Sequence, residues 1–141
     1  MNMNDAVVPV IRLWGCLLVP IQGELTDDMA GVLQDQILHA IHAQSTRGLI
    51  LDLSGIGVLD SHLCSVLARV AGAAALMGAP TAVCGMRAEM ALTLNSMGID
   101  MRGITSALTL EEALHHFGII AQDQHANRQD KLLELLFGGA T

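Results

Sequence analysis

The sequence has almost no aromatic residues: one Trp, two Phe and no Tyr among 141 residues. The buried Tyr and Trp side chains that often anchor protein interfaces are therefore nearly absent. Hydrophobic residues still make up 52% of the chain, whereas charged residues make up only 15%. This composition excludes an acidic disordered linker, and the length favours one domain with a core of Leu, Val, Ile, Ala and Met.

Basic residues are also scarce, because seven Lys and Arg stand against fourteen Asp and Glu, for a formal net charge of −7. Binding to nucleic acid or to anionic lipid headgroups requires a basic surface, so we expect no nucleic acid and no membrane as partners. The sequence contains no run of about 18 apolar residues. Its first residues lack the basic and apolar regions of a secretory signal. We therefore expect a cytoplasmic protein.

Only three cysteines are present, Cys16, Cys64 and Cys84, which are too few and too odd in number for a disulfide framework. Each lies in an apolar stretch, which predicts reduced cysteines in the core of a cytoplasmic protein. Cys64 comes two residues after His62, but its apolar helix position argues against a thiol enzyme.

Other candidate ligand-binding residues are incomplete as motifs. His39 and His42 lie three residues apart on one predicted helix, yet no Cys or carboxylate cluster completes a metal site. Gly55 and Gly57 follow a predicted strand as in a dinucleotide fingerprint, but the third Gly is missing and Asp60 would repel a pyrophosphate. We therefore expect no catalytic group, no metal and no cofactor.

Strand and helix patterns alternate along the chain in the order β-β-α-β-α-β-α-β-α. The first two strands are separated by Trp14-Gly15, which favours an antiparallel hairpin. This order predicts an α/β fold: a single domain with a mixed, mostly parallel sheet of about five strands and about four helices. The predicted strands are 7–13, 16–22, 49–53, 80–86 and 99–104.

Helix ends carry recognisable capping residues. Thr26, Asp60 and Thr109 are predicted N-caps, and Glu112 forms a capping box with Thr109. Gly48 is predicted to close the first helix after residues 44–47. The other helices are predicted over 61–77, over 88–97 with Gly98 closing, and from residue 109.

The most informative segment is 51–61, where a buried strand ends, a Gly-containing loop turns and a helix begins. Loops of this kind carry functional groups in open α/β sheets. With Asp60 as N-cap, the hydroxyl of Ser61 lies in the first helical turn, where a phosphate would meet free backbone N–H groups and the helix dipole. The alternative, that Asp60 and Ser61 merely start a helix, remains open because both are ordinary helix-starting residues.

The strand, the Asp-Leu-Ser at 52–54, the loop and the Asp-Ser at 60–61 together resemble the STAS domain of anti-sigma-factor antagonists. The resemblance covers roughly residues 7–120. Segments 16–27, 47–54 and 76–79 are similar to the small RsbS-like scaffold proteins of the stressosome, which consist of little but a STAS domain.

This resemblance implies which residues carry the function. The phosphate acceptor of the family maps onto Ser61, with Asp60 beside it, and the aspartate that ends the preceding strand maps onto Asp52, where it would order the loop. Thr93 lies near a secondary acceptor region of the paralogues, but its mid-helix, apolar setting favours a structural role. The implied switch loop and partner-binding segment comprises Asp52, Ser54, Gly55, Gly57, Asp60 and Ser61.

The resemblance also implies a non-enzymatic phospho-switch in a stress response. Such scaffolds self-associate, co-assemble with an RsbR-like STAS paralogue and sequester an RsbT-like serine/threonine kinase until they are phosphorylated, and a serine phosphatase resets them. Two alternatives remain: a dimeric anti-anti-sigma factor that binds an anti-sigma kinase, and a small-molecule or lipid-handling STAS module of a transporter. Residues 121–141 form a predicted polar linker and short Leu-rich tail that exceed the usual form.

Overall fold

The computed structural model describes residues 8–97, 103–119 and 135–136. Within these ranges the element order confirms the predicted succession of strands and helices. The elements are β1 (Ile11–Leu13), β2 (Cys16–Gln22), α1 (Asp27–Ala43), β3 (Gly48–Gly55), α2 (Ser61–Leu76), β4 (Thr81–Cys84), α3 (Ala88–Met97), β5 (Ile104–Ala107) and α4 (Leu110–His116).

The five strands form one sheet in the order β1-β2-β3-β4-β5. β1 pairs with β2 antiparallel, and every later pair is parallel. At the β1–β2 turn, Trp14 has φ 50° and Gly15 has φ 82°. Two successive residues with positive φ are typical of the tight turns that match the twist of a hairpin. The predicted hairpin and the predicted mixed, mostly parallel sheet are both confirmed.

Helices cover the two faces of the sheet unequally. Side chains of α1, α2 and α3 pack with Leu49, Leu51 and Leu53 into the larger core cluster. On the opposite face, the short helix α4 packs with Ile50 and its neighbours in the smaller cluster. β3 is thus buried on both faces in the middle of the sheet, as its continuous apolar run predicts.

The predicted helix N-caps are confirmed. The Thr26 hydroxyl accepts a hydrogen bond from Met29 N, and the Thr109 hydroxyl accepts one from Glu112 N, each at 3.2 Å. The Glu112 carboxylate accepts from Leu108 N at 2.8 Å, one residue before the position that a standard capping box uses. Local side-chain chemistry therefore sets where these helices begin.

Several predicted boundaries differ from the structure. Gly48 does not close α1, which ends at Ala43 with Gln44 as its cap; instead Gly48 is the first residue of β3. A Cβ at Gly48 would lie 2.5 Å from the ring of Phe117, so a side chain there would require that ring to move. β3 also extends to Gly55, because Gly55 still pairs with Gln22.

The two edge strands, β1 and β5, differ more from the predicted strands than β3 does. β1 begins at Ile11, and β5 covers Ile104–Ala107 rather than 99–104. Residues 99–102 of that predicted strand lie outside the described residues, as does Gly98, and Gly103 is a turn residue with φ 85°. β4 ends at Cys84, two residues earlier than predicted. The predicted tail, 121–141, also lies outside the described residues, except for the exposed Leu135 and Leu136.

Candidate functional site

The site begins with the β3–α2 loop, residues 56–60, at the carboxyl end of the central strand. Ile56 and Leu59 are buried, with 3% and 4% of their surface exposed, whereas Val58 between them is 80% exposed. The Ile56 amide also donates to the carbonyl of Leu53 at 3.1 Å. The loop is therefore fixed at two points in the core and turns one apolar side chain outward.

Helix α2 begins immediately after this loop, as predicted. The Asp60 carboxylate accepts a hydrogen bond from Leu63 N at 2.8 Å, and Cys64 N donates to the carbonyl of Asp60 at 3.0 Å. Ser61 is the first residue of the helix and is exposed. The first turn contains no acidic side chain. A negative group on the Ser61 oxygen would consequently lie at the positive end of the helix dipole.

Asp52 acts on the strand end that leads into the loop. Its Oδ1 accepts a hydrogen bond from Ser54 N at 3.0 Å. Burial, the Asp52 charge and a hydrogen bond to Asp52 raise the pKa of the Cys84 thiol to about 12. Burial also raises the pKa of Cys16 and Cys64. All three thiols are free and buried, as predicted, and they stay protonated at neutral pH.

The turn between β4 and α3 supports the loop from the side. Arg87 Nη2 donates to the carbonyls of Ile56 at 3.1 Å and of Gly57 at 2.5 Å. Gly85, with φ 74°, approaches the end of β3 so closely that a Cβ there would lie 2.8 Å from Ser54 N. Neighbouring parallel strands end at the same sheet edge, so the turn after β4 reaches the loop after β3.

Sequence reasoning missed both Gly85 and Arg87. The available signal was a Gly and an Arg directly after the strand that pairs with β3. That signal has no meaning until the order of the strands is known, because the two segments are about thirty residues apart in the sequence.

A second connection joins the starts of α1 and α2. His62 Nε2 lies 3.0 Å from the carbonyl oxygen of Leu25 and 3.6 Å from Oδ1 of Asp27. A cleft of about 260 Å³ lies beside this contact and is lined by Gly23, Glu24, Leu25, Thr26, Val58, Asp60, His62 and Leu63. The two helix starts thus form one continuous surface next to Ser61.

Other candidate groups are placed apart from this surface. The Thr93 hydroxyl donates to the carbonyl of Glu89 at 2.8 Å within α3, which is a local helix contact. His39 Nδ1 lies 2.7 Å from the carbonyl oxygen of Asp35 on α1. Among the described residues, no group of three or more His, Cys, Asp or Glu side chains is arranged to hold a metal ion. In the same part of the chain, no helix is both long and apolar enough to cross a membrane.

An apolar cavity of about 300 Å³ lies between α3 and β5, away from Ser61. It is lined by Val83, Met86, Ala91, Leu94, Asn95, Ile104 and Ser106.

Comparison with known families and curated proteins finds STAS relatives. The family model described as "Mlab, STAS domain" matches residues 15–112. The RsbT co-antagonist protein RsbRB of Bacillus subtilis (strain 168) is 30% identical over 109 residues, which are 77% of this chain and 39% of that protein. The chain spans about two fifths of the length of the curated relatives it matches.

Two solved structures are similar over nearly their whole length. A variant of RsbS from Moorella thermoacetica with one serine replaced by glutamate is 30% identical, with a TM-score of 0.69, and the match covers 82% of this chain and 97% of that one. A chain in the structure titled "Molecular architecture of the stressosome, a signal integration and transduction hub" is 31% identical, with a TM-score of 0.70, covering 80% of this chain and 98% of that one.

Proposed function

The chain belongs to the STAS-domain family, and on this premise we propose that it is a non-enzymatic scaffold of a stressosome that holds an RsbT-like serine/threonine kinase until Ser61 is phosphorylated. The names of its relatives support the assignment, since they include RsbS, the stressosome and RsbT co-antagonists. We further propose that it acts in the cytoplasm, with an RsbR-like paralogue, further copies of itself and a serine phosphatase as partners.

The observation that carries this proposal is the exposed Ser61 at the start of α2. Asp60 already satisfies the N–H of Leu63, so the helix begins at the same residue whether or not Ser61 is modified. Transfer of the γ-phosphoryl group from ATP to the Ser61 oxygen releases ADP and the hydroxyl proton. The added group carries about −1.5 to −2 charges at neutral pH. The fold tolerates this charge, because the first helical turn is favourable for anions.

The same charge weakens kinase retention. A kinase surface that fits the small, neutral side chain of Ser61 has to desolvate the phosphate without a positive group prepared to receive it. Asp60, beside Ser61, and the overall charge of −7 add further repulsion for an acidic partner surface. Each 1.4 kcal/mol of this cost lowers the affinity about tenfold. Phosphorylation therefore releases the kinase without a change of fold.

The test measures the affinity of the RsbT-like kinase for the full chain and for three variants, without ATP. Ser61→Glu should bind at least about tenfold more weakly than wild type. Glutamine has nearly the size of glutamate but no charge, so Ser61→Gln should bind the kinase with an affinity close to that of wild type. Ser61→Ala should do the same. Equal loss with Glu and Gln would show a steric effect and contradict the charge mechanism.

Particle size separates the scaffold from its alternatives. Light scattering in the presence of the RsbR-like paralogue should detect a megadalton particle. A small dimer that binds an anti-sigma kinase would instead indicate that the chain is an anti-anti-sigma factor. A ligand-handling module would use the apolar cavity between α3 and β5, and native mass spectrometry would then detect a co-purifying small molecule.

A further inference from the structure

The β3–α2 loop is held from outside by one side chain of a different element. The Arg87 guanidinium donates to the carbonyls of Ile56 and Gly57, which are consecutive in the loop. Arg87 is itself fixed by its backbone, since its carbonyl accepts the first amide bonds of α3, from Met90 N and Ala91 N. The conformation of the loop therefore depends on the start of α3.

This arrangement exposes the side chain of Val58 to solvent. Both of its apolar neighbours in the loop, Ile56 and Leu59, are buried in the core, and the carbonyl of Gly57 accepts a hydrogen bond from Arg87. Among the apolar side chains of the loop, Val58 alone points outward, with 80% of its surface exposed. Single exposed valines are common on protein surfaces. This one is unusual because the backbone on both sides is fixed and because it lies three residues before Ser61.

We propose that Arg87 is a positioning residue that presents Val58 as the apolar anchor for the kinase that modifies Ser61. The inference rests on the proposed function and names a recognition element for it. Three residues span at most about 11 Å, whereas a typical interface buries about 800 Å² on each partner, so a kinase that reaches Ser61 also covers Val58. A loop that is already ordered spares the kinase the entropic cost of ordering it.

The anchor is tested by kinase affinity, measured with the full chain in the absence of ATP. Val58→Ser should raise the Kd about tenfold, because an aliphatic contact of this size is lost on binding. Leu76→Ser is the matched control: Leu76 is 91% exposed and lies at the other end of α2, about 22 Å along the helix axis from Ser61. It should leave the Kd within about twofold of wild type.

The positioning role of Arg87 is tested by the kinetics of phosphorylation. Arg87→Ala should raise KM about tenfold with kcat nearly unchanged, because the loop must be ordered on binding while the reacting groups are intact. Arg87→Lys, which keeps a donor, should restore part of the loss. Arg47→Ala removes the same charge just before β3, at the opposite end of that strand, and should leave KM unchanged.

Hydrogen exchange supplies a readout that does not involve the kinase. In Arg87→Ala, the amide of Ile56 should exchange faster than in wild type, whereas the amides in the middle of α1 should exchange at the wild-type rate. Unchanged exchange in the loop would overturn the positioning role.

The outcomes distinguish this inference from the proposed function. If wild type binds the kinase and the Val58→Ser and Arg87→Ala variants bind and react as wild type does, the inference is overturned and the proposed function stands. If the kinase neither binds nor modifies the wild-type chain, both are overturned.

Discussion

Helices α1 and α2 start in a similar way but differ in where their acidic residues lie: α1 has a neutral N-cap, Thr26, and α2 has an acidic one, Asp60. Each is preceded by a buried leucine, Leu25 or Leu59, and each begins after an N-cap whose side chain accepts the amide hydrogen bond of the third helical residue. The first turn of α1 then contains Asp27 and Asp28, whereas the first turn of α2 has no acidic residue.

This difference is the physical reason for proposing the modification site at the start of α2 rather than at the start of α1. Two carboxylates already interact with the dipole of α1. A phosphate added there would lie next to them and be repelled. At α2 the corresponding position is a hydroxyl, Ser61. The Asp60 carboxylate lies at this helix start too, but as the N-cap it already accepts the hydrogen bond of Leu63 N, and the first turn after it has no acidic side chain. The second helix is therefore the one at which a new negative charge is tolerated by the fold.

The two caps provide the larger test of this comparison. Thr26→Ala and Asp60→Ala should each lower the free energy of unfolding by about 1 kcal/mol, because each leaves one backbone N–H without its acceptor. Denaturation by urea measures both changes. Only Asp60→Ala should also slow phosphorylation of Ser61, since the cap sets where α2 begins.

Asp60→Asn is the control, because asparagine caps a helix without a charge. It should keep both the stability and the phosphorylation of wild type. Full stability of Asp60→Ala would contradict the role given to the cap.

A smaller effect per substituted residue is expected when the start of α1 is made like that of α2. The double change Asp27→Ser and Asp28→His should cost about 0.3–1 kcal/mol of stability for each carboxylate removed from the helix dipole. It should not create a second phosphorylation site, because the segment before α1 has no counterpart of Val58 held outward by an arginine. Urea denaturation and phosphopeptide mapping measure the two results. Phosphorylation at position 27 would mean that a serine at a helix start is sufficient for the kinase, and that no exposed apolar residue before it is needed.

The features that sequence reasoning predicted depend on residues close together in the chain. The caps Thr26, Asp60 and Thr109 follow from side chains three residues from their partners. The central strand follows from a continuous apolar run, and the hairpin follows from the short separator at Trp14-Gly15. The succession of these local patterns along the chain predicted the element order, which the structure confirms.

The features that sequence reasoning missed depend on which strands pair in the sheet. Gly48 and Gly55 belong to β3 because β2 offers each of them a pairing partner, Cys16 and Gln22. The four-residue edge strand β5 is too short for a clear alternation of apolar and polar residues. The contact of Arg87 with the loop requires the order of β3 and β4, which no local pattern contains.

Phosphosite mapping tests the central claim most directly. The full chain is incubated with the RsbT-like kinase and ATP, and the modified residues are identified by mass spectrometry, with Ser61→Ala treated in parallel. We expect one phosphate on Ser61 in the wild-type chain and none in Ser61→Ala. A wild-type chain that stays unmodified, or one modified at another residue and equally so in Ser61→Ala, would contradict it.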